Sequence, residues 1–445
     1  MTLLARDPRA PFVLTPTLVP LERRTRGYDW LLSACALALA LIGAVLVWAA
    51  TRYVPAVNGG SPNSFLYRHL FNVLVAAALM IGASRLDARL LRLFGPVIYV
   101  ASLLGLLMVF AVGSTVNGAH AWIRLGGGFE LQPSEFMKLG LIVGMAVLFT
   151  QHVSERRLRS ENVSERRLRS ENVSERRLRS EHVSERRLRS EGVSERRLRS
   201  EGHAAGDDLG DAPPSTSDVL IAIALMAVPL GLVMLQPDLG SAMVLAAAAF
   251  GVLLTAGVRA RWTIGLLVLA VLVAVVAVKS GLLASYQLDR FRSFANPGQD
   301  PQGAAYNVTQ AHIAIADGGL FGTGLFHGPQ TNGGFVPEQQ TDFVFSVAGE
   351  EFGLVGGSVI IALFALLCWR GMLIARSADR AGRLVAVGIV CWFAFQAFQN
   401  IGMNLGLTPV TGLPLPFVSY GGSSMFAQGL AIGLLQAVRR RSTRP

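Results

Sequence analysis

Apolar residues fall into ten runs along this chain, at about 28–50, 66–83, 92–112, 133–150, 218–235, 239–257, 262–282, 343–369, 383–404 and 424–438. About 20 such residues in a helix cross the hydrocarbon core of a bilayer. The pattern therefore predicts an all-α polytopic integral membrane protein with ten transmembrane helices. The pair on either side of "LQPDLG" is expected to join through a tight turn forced by Pro237 and Gly240. The stretch 404–425, "NLGLTPVTGLPLPFVSYGGSSM", is apolar but broken by Pro409, Pro414, Pro416 and by Gly406, Gly412, Gly421 and Gly422. It is expected to dip back into the membrane, where irregular backbone must be buried in protein or line a cavity. Residues 303–316, "GAAYNVTQAHIAIA", space their apolar positions as a helix does, and this part is expected to lie on the membrane surface.

One block departs from this pattern. "HVSERRLRSE" at 152–161 runs five times in succession through 201, changing only at its first residue. Val153, Leu158, Val163 and Leu168 recur every five residues. Five steps of about 100° leave successive apolar residues about 140° apart, so no apolar helix face forms. The block is a solvated charged helix or a disordered segment. It is read as an insertion between the fourth and fifth spans; a docking site for a partner or lipid is the alternative. The chain thus divides into a tail at 1–27, a membrane domain at 28–440 with the insertion at 152–201, and a long loop at 283–342.

Charge sets the expected orientation. Of 40 Lys and Arg, 33 fall on one side: the tail, Arg85, Arg89, Arg92, the repeat, Arg259, Arg261, Arg370, Arg376, Arg380, Arg383 and the C-terminal Arg439, Arg440, Arg441 and Arg444. Basic residues concentrate on the cytoplasmic side, so both termini are expected there and the loop 283–342 outside. The bias holds without the repeat. The net charge of +11 then points to anionic lipid rather than nucleic acid. The mean hydropathy is +0.46. No cleavable leader pattern precedes the first run, which is expected to be retained.

Cys35, Cys368 and Cys391 all lie in apolar runs with no CxxC pair, which predicts small buried hydrophobes rather than a disulfide framework. Lys138 and Lys279 complete no phosphate-binding loop, no HExxH occurs, and "GGLFGTG" at 318–324 lacks a βαβ setting. Candidate chemistry gathers instead in three places. The loop 283–342 holds Arg290 and Arg292 beside Asp289, Asp300, Asp317, Glu338 and Asp342. Glu135 and Lys138 stand three apart at the start of the fourth span, on one helix face. Ionisable groups there default to functional candidates, with a self-neutralising structural pair as the alternative. Glu350 and Glu351 sit inside the eighth span, and at least one is expected to face a polar cavity. Asp238 is expected to cap the sixth helix, and His312 and His327 lack metal spacing.

The elements "WIRLG…QPSEFMKLG", "QPDLGSAM", "NPGQDPQGAAYNVTQAHIAIADGGLFGTG", "VPEQQTDFVFSVAGEEFGLVGG" and "NLGLTPVTGLPLPFVSYGGSS" resemble, in order from Tyr28 to Arg440, the SEDS family (shape, elongation, division and sporulation), which includes RodA and FtsW. "TGLPLPFVSYGG" is slightly closer to RodA. The resemblance implies ten transmembrane helices in the bacterial cytoplasmic membrane and peptidoglycan glycosyltransferase activity on lipid II, with a class B penicillin-binding protein as partner. The family's essential acid aligns with Asp300 of "QDPQG" as the catalytic residue. A carboxylate there suits general-base removal of an alcohol proton. An Asx turn between Pro297 and Pro301 is the alternative. Positive groups would stabilise the departing diphosphate, and Arg290, Arg292 and Lys138 are candidates, with Glu135 and Gln310 as further substrate-binding positions. Arg290 and Arg292 could equally anchor the loop to lipid headgroups. Glu338, Asp342, Glu351, Ser419 and Gly421 are expected to be structural or supporting. No cofactor is assigned; a divalent cation, Mg2+ or Mn2+, bound to a carboxylate is the alternative way to stabilise the diphosphate, and no metal ligands are assigned. The competing function is a lipid II flippase or transporter, since broken spans and intramembrane acids also mark transporters.

Overall fold

The computed structural model describes residues 27–86, 88–116, 119–126, 129–151, 214–280, 290, 294 and 304–442. The repeat, Asp300 and Arg292 lie outside the described residues.

All ten apolar runs are helices. They are α1 (Trp30–Arg52), α3 (Ser64–Ser84), α4 (Ala88–Val112), α5 (Pro133–Gln151), α6 (Thr216–Leu235), α7 (Leu239–Thr255), α8 (Ala260–Ser280), α11 (Val344–Ser377), α12 (Arg380–Asn404) and α13 (Gly422–Ser442). Among the described residues, three shorter helices, α2 (Pro55–Asn58), α9 (Ala304–Gly318) and α10 (Pro329–Gly333), lie between them. Among the described residues, seven of the ten are long and apolar enough to cross a membrane, and Leu239–Thr255 of α7 and Ala260–Val273 of α8 are shorter apolar stretches. A small antiparallel sheet, β1 (Ser114–Val116), β2 (Ala119–Gly126) and β3 (Phe129–Leu131), connects α4 to α5 in the order β1-β2-β3. Its register places Ser114 opposite Trp122 and Ile123 opposite Leu131. We call this the hairpin end of the bundle.

The helix starts are written locally. Asp29 accepts from Leu32 N, Ser215 and Asp218 form a capping box on α6, and Asp379 caps α12. Asp238 accepts from Ser241 N at 2.9 Å and caps α7, as expected. Gly240 has a different role from the one expected. It lies one residue inside α7, and a Cβ there would come 2.9 Å from Thr411 O, so the glycine permits close approach of the 405–421 segment rather than the turn itself.

Two packing features fix the bundle around that segment. On α13, Gly429 and Gly433 form a G-x-x-x-G step against α3, where a Cβ would meet Ala76 O or Met80 O at 2.5 Å. In α11 the helix breaks at Gly353, whose φ is 66°. There the turn 318–324 docks on the break: Thr323 N and Gly324 N donate to the carbonyls of Glu350 and Glu351, and Leu354 N donates back to Gly319 O. Of the stretch 303–316, the described residues from Ala304 on are helical as expected, in α9, but Ala311 and Ala314 are fully buried in a cluster with Phe343, Met403 and Val410.

Candidate active site

The stretch 405–421 leaves α12, enters the interior and returns to α13 without forming a helix, through a turn at 415–419 in which Ser419 N donates to Leu415 O. It reaches the middle of α1, where a Cβ on Gly43 would lie 2.4 Å from Val418 O. Irregular backbone at such depth needs every polar group answered from within the protein. Leu415 N donates to Ser419 Oγ at 2.8 Å, Phe417 N to Gln428 Oε1 at 2.7 Å, and Tyr420 N to Gln340 O at 2.9 Å. Ser419 Oγ in turn donates to Thr341 O. Ser419 thus ties the segment both to itself and to the turn before α11. Gly421 has open space for a Cβ, with only Ser424 Cβ nearby at 3.7 Å, and nothing in the structure requires glycine there.

Glu135 and Lys138 of α5 face this segment from below. Both are buried, at 1% and 0% exposure, and Lys138 Nζ lies 2.6 Å from Glu135 Oε1. Lys138 also donates to Gln396 Oε1 at 3.1 Å and stands 5.3 Å from the centre of the Trp392 ring. Gln396 uses both ends of its amide. Its Oε1 accepts from Trp392 Nε1 as well, at 2.7 Å, and its Nε2 donates to Pro414 O at 2.8 Å. Glu135 Oε2 is buried with no hydrogen-bond partner. In this arrangement the Lys138 ammonium is turned into the protein, towards Glu135 and the re-entrant segment.

The turn 338–343 forms the mouth. Glu338 takes a left-handed conformation, φ 52°, and its carbonyl accepts from Thr341 N, Asp342 N and Phe343 N. Its carboxylate accepts from Thr341 Oγ1 and Gln340 Nε2. This turn presents Asp342 beside Gly412. A Cβ on Gly412 would lie 3.5 Å from Asp342 Oδ2 and 3.7 Å from Arg290 Nη1, and Gly412 itself has φ 71°. Burial and the neighbouring Glu338 push the Asp342 carboxyl up to about 7, against the opposing pull of Arg290 and a hydrogen bond from Thr341. The carbonyl of Asp342 accepts from Asn400 Nδ2 at 2.8 Å and Asn404 Nδ2 at 3.1 Å.

The structure therefore brings together Arg290, Asp342, Glu338 and Ser419 around 405–421, with Glu135 and Lys138 behind it. Gln310 lies on α9, half-buried. Glu351 accepts from Phe326 N through Oε1, and Glu350 accepts from Gln330 N and Thr331 N. Both acids brace the 326–331 turn through backbone amides. Among the described residues, no group of three or more His, Cys, Asp or Glu side chains is placed to hold a metal ion. Sequence reasoning missed Gln396, Asn400 and Asn404. The signal was available as amides spaced by four within an apolar span, where polar groups are costly.

The profile of the FtsW/RodA/SpoVE family of cell cycle proteins matches residues 29–168 and 207–444. The chain belongs to this family. It is the SEDS family that the motifs resemble, and the match omits 169–206, most of the repeat. At 34% identity over 93% of both chains, this SEDS protein is similar to a probable peptidoglycan glycosyltransferase FtsW of Trichlorobacter lovleyi. It is 30% identical to the peptidoglycan glycosyltransferase MrdB of Escherichia coli K12, over 90% of both chains. The stage V sporulation protein E of Bacillus subtilis stands at 32%, over 93% of this chain and 97% of that one. Identity thus does not separate the FtsW-, MrdB- and sporulation-named relatives. Among solved structures, a chain of a peptidoglycan synthase complex that coordinates polymerization and crosslinking superposes with a TM-score of 0.67 at 28% identity, covering 94% of this chain and 98% of that one. The rod shape determining protein RodA of Thermus thermophilus gives 0.58 at 26%, covering 94% and 99%. Like its family, this SEDS protein is a multi-pass protein of the bacterial cytoplasmic membrane.

Proposed function

We propose that this SEDS protein is a peptidoglycan glycosyltransferase that polymerises lipid II at the outer face of the cytoplasmic membrane. The hairpin end, with the mouth at Gly412, is that outer face. The observation that carries the reading is the convergence of Arg290 and Asp342 on Gly412, beside a buried re-entrant segment, in a chain matched to the family over nearly its whole length.

In this reading Asp300 takes the proton of the GlcNAc 4-hydroxyl as that oxygen attacks C1 of MurNAc on a second unit. The bond from C1 to the diphosphate oxygen breaks, and undecaprenyl diphosphate leaves. The leaving group departs as an anion, so no second carboxylic acid is needed to protonate it, unlike in glycosidases. Arg290 and Arg292 stabilise the diphosphate charge. Asp342 and Glu338 shape the mouth, and the Glu135–Lys138 pair fixes the floor beneath the re-entrant segment. A class B penicillin-binding protein that crosslinks the product is the partner, in keeping with the synthase complex found among the similar structures.

The test is the purified chain with its transpeptidase partner, given labelled lipid II. The wild type is expected to yield glycan chains and Asp300→Ala to lose them. Chains at the normal rate from Asp300→Ala would sink the general-base assignment. Transbilayer movement of lipid II without polymer would favour the flippase reading.

A further inference from the structure

One face of α12 carries Trp392, Gln396, Asn400 and Asn404 at successive four-residue steps, which places them in a column along the helix. All four are fully buried, in a helix apolar enough to cross a membrane. The column joins two places that the mechanism above treats separately. At one end Gln396 links Lys138 to Pro414 O. In the middle Asn400 Nδ2 is shared between Asp342 O, at 2.8 Å, and Leu413 O, at 2.7 Å. At the other end Asn404 donates to Asp342 O and Asn400 O, and its Oδ1 accepts from Ser346 N at 3.1 Å.

The donors of these amides go to backbone carbonyls, not to one another's side chains. The carbonyls they hold belong to the two segments that frame Gly412, namely the Asp342 turn and the 413–414 step of the re-entrant stretch. Gly412 lies against the Arg290 guanidinium with no side chain between. A shift of either segment by about 1 Å would change what Arg290 presents, and catalysis is sensitive to displacements of that size. An apolar residue would fill the same interior positions without the desolvation cost of an amide. The cost is offset by the carbonyls the amides fix.

We propose that Gln396, Asn400 and Asn404 are positioning residues that hold the Asp342 turn and the 412–414 step in register against Arg290, so that the substrate diphosphate meets the guanidinium in one geometry. The proposal rests on the assignment of Arg290 to the diphosphate made above.

A double-mutant cycle on the whole chain with its partner tests it, reading KM and kcat for lipid II polymerisation together with thermal melting in detergent. Asn400→Leu removes the donor to both carbonyls. It is expected to raise KM about tenfold, the scale of a lost hydrogen bond to a buried carbonyl, with a smaller change in kcat. Placed on Arg290→Ala, it should add less than about twofold, because groups acting through one another are not additive. If Arg290→Ala leaves KM unchanged, the diphosphate role of Arg290 falls and the proposal falls with it. If Arg290→Ala raises KM and Asn400→Leu adds its full factor on top, the positioning proposal alone is overturned. A lowered melting temperature with KM unmoved overturns it too, since that is what a purely structural amide would give. Should Asn400→Leu not fold, Asn400→Asp keeps the shape, exchanges the donor for an acceptor, and completes the same cycle.

Discussion

Two ion pairs, one partly and one fully buried, sit at opposite ends of this bundle, and they are built differently. Away from the hairpin, Asp29 is answered at every polar atom. Its Oδ1 accepts from Leu32 N, and its Oδ2 accepts from Arg370 Nε at 3.2 Å and Nη2 at 2.5 Å. Its own N and O are taken by Gln436 Oε1 and Nε2. This set ties α1, α11 and α13 together. Beneath the re-entrant segment, Glu135 uses one oxygen on Lys138 and leaves the other buried without a partner. A buried charge pair repays its desolvation only when its remaining lone pairs are satisfied. The Asp29 set meets that condition and reads as a lock. The Glu135 pair does not, and an under-satisfied pair at the floor of a site is kept for the site rather than for stability.

The largest expected effect breaks the second pair. Lys138→Met leaves Glu135 buried and uncompensated, which costs about 3–5 kcal/mol, and melting in detergent should fall accordingly. The double variant Glu135→Gln/Lys138→Met removes both charges and should recover most of that stability. Polymerisation should stay low in both, because the anchor that Lys138 gives Gln396 is gone. Recovery of activity along with stability in the double variant would make this pair a lock like the other.

Asp29→Ala tests the first pair. It removes a helix cap, worth about 1 kcal/mol, and leaves Arg370 without its carboxylate. Arg370 is 17% exposed and regains water, so its loss costs less than a fully buried one, and about 2–4 kcal/mol is expected from the two together. The polymerisation rate per folded molecule should be unchanged, since no atom of this set lies at the hairpin end. A changed KM for lipid II at equal folded fraction would refute the division between lock and site.

What the sequence made legible follows the range of the forces involved. Ten apolar runs became ten helices because length and hydropathy decide membrane helices almost alone. The Asp238 cap was legible because its partner, Ser241, is three residues away. The irregular course of 405–421 was written in its prolines and glycines. The Asp29–Gln436 bonds were not legible, since the partners stand 407 positions apart. Gly240 was misassigned for the same reason: what demands a glycine there is the Thr411 carbonyl from another part of the chain. The Gly429–Gly433 step and the amide column of α12 were visible as spacings, but spacing alone does not say which neighbour fills them. At the candidate site, Arg290 and Asp342 were visible as charges in one loop, and their meeting at Gly412 depended on the tertiary fold. The placement of Asp300 lies outside the described residues, so its role still rests on the motif.

A third carboxylate, Asp342, gives an effect read as a change with pH, and it sharpens the contrast because it belongs to the site and carries a perturbed proton equilibrium. Burial first, then Glu338, and to a lesser degree Asp238, raise its carboxyl to about 7, while Arg290 and the Thr341 hydroxyl pull it down. The folded protein therefore binds this proton more tightly than the unfolded chain, whose Asp titrates near the ordinary value of about 3.9. Stability rises with pH only where the unfolded state holds more protons. Here the folded state holds more, so this group's contribution is greatest below about pH 4 and is lost as pH rises to about 7. Asp342→Asn keeps the shape and fixes the neutral state. Its melting temperature relative to wild type should accordingly be higher at pH 8 than at pH 5. Parallel melting curves for the two proteins across that range would mean that the Asp342 carboxylate is ionised in the fold without cost, and that Arg290 answers it as fully as Arg370 answers Asp29.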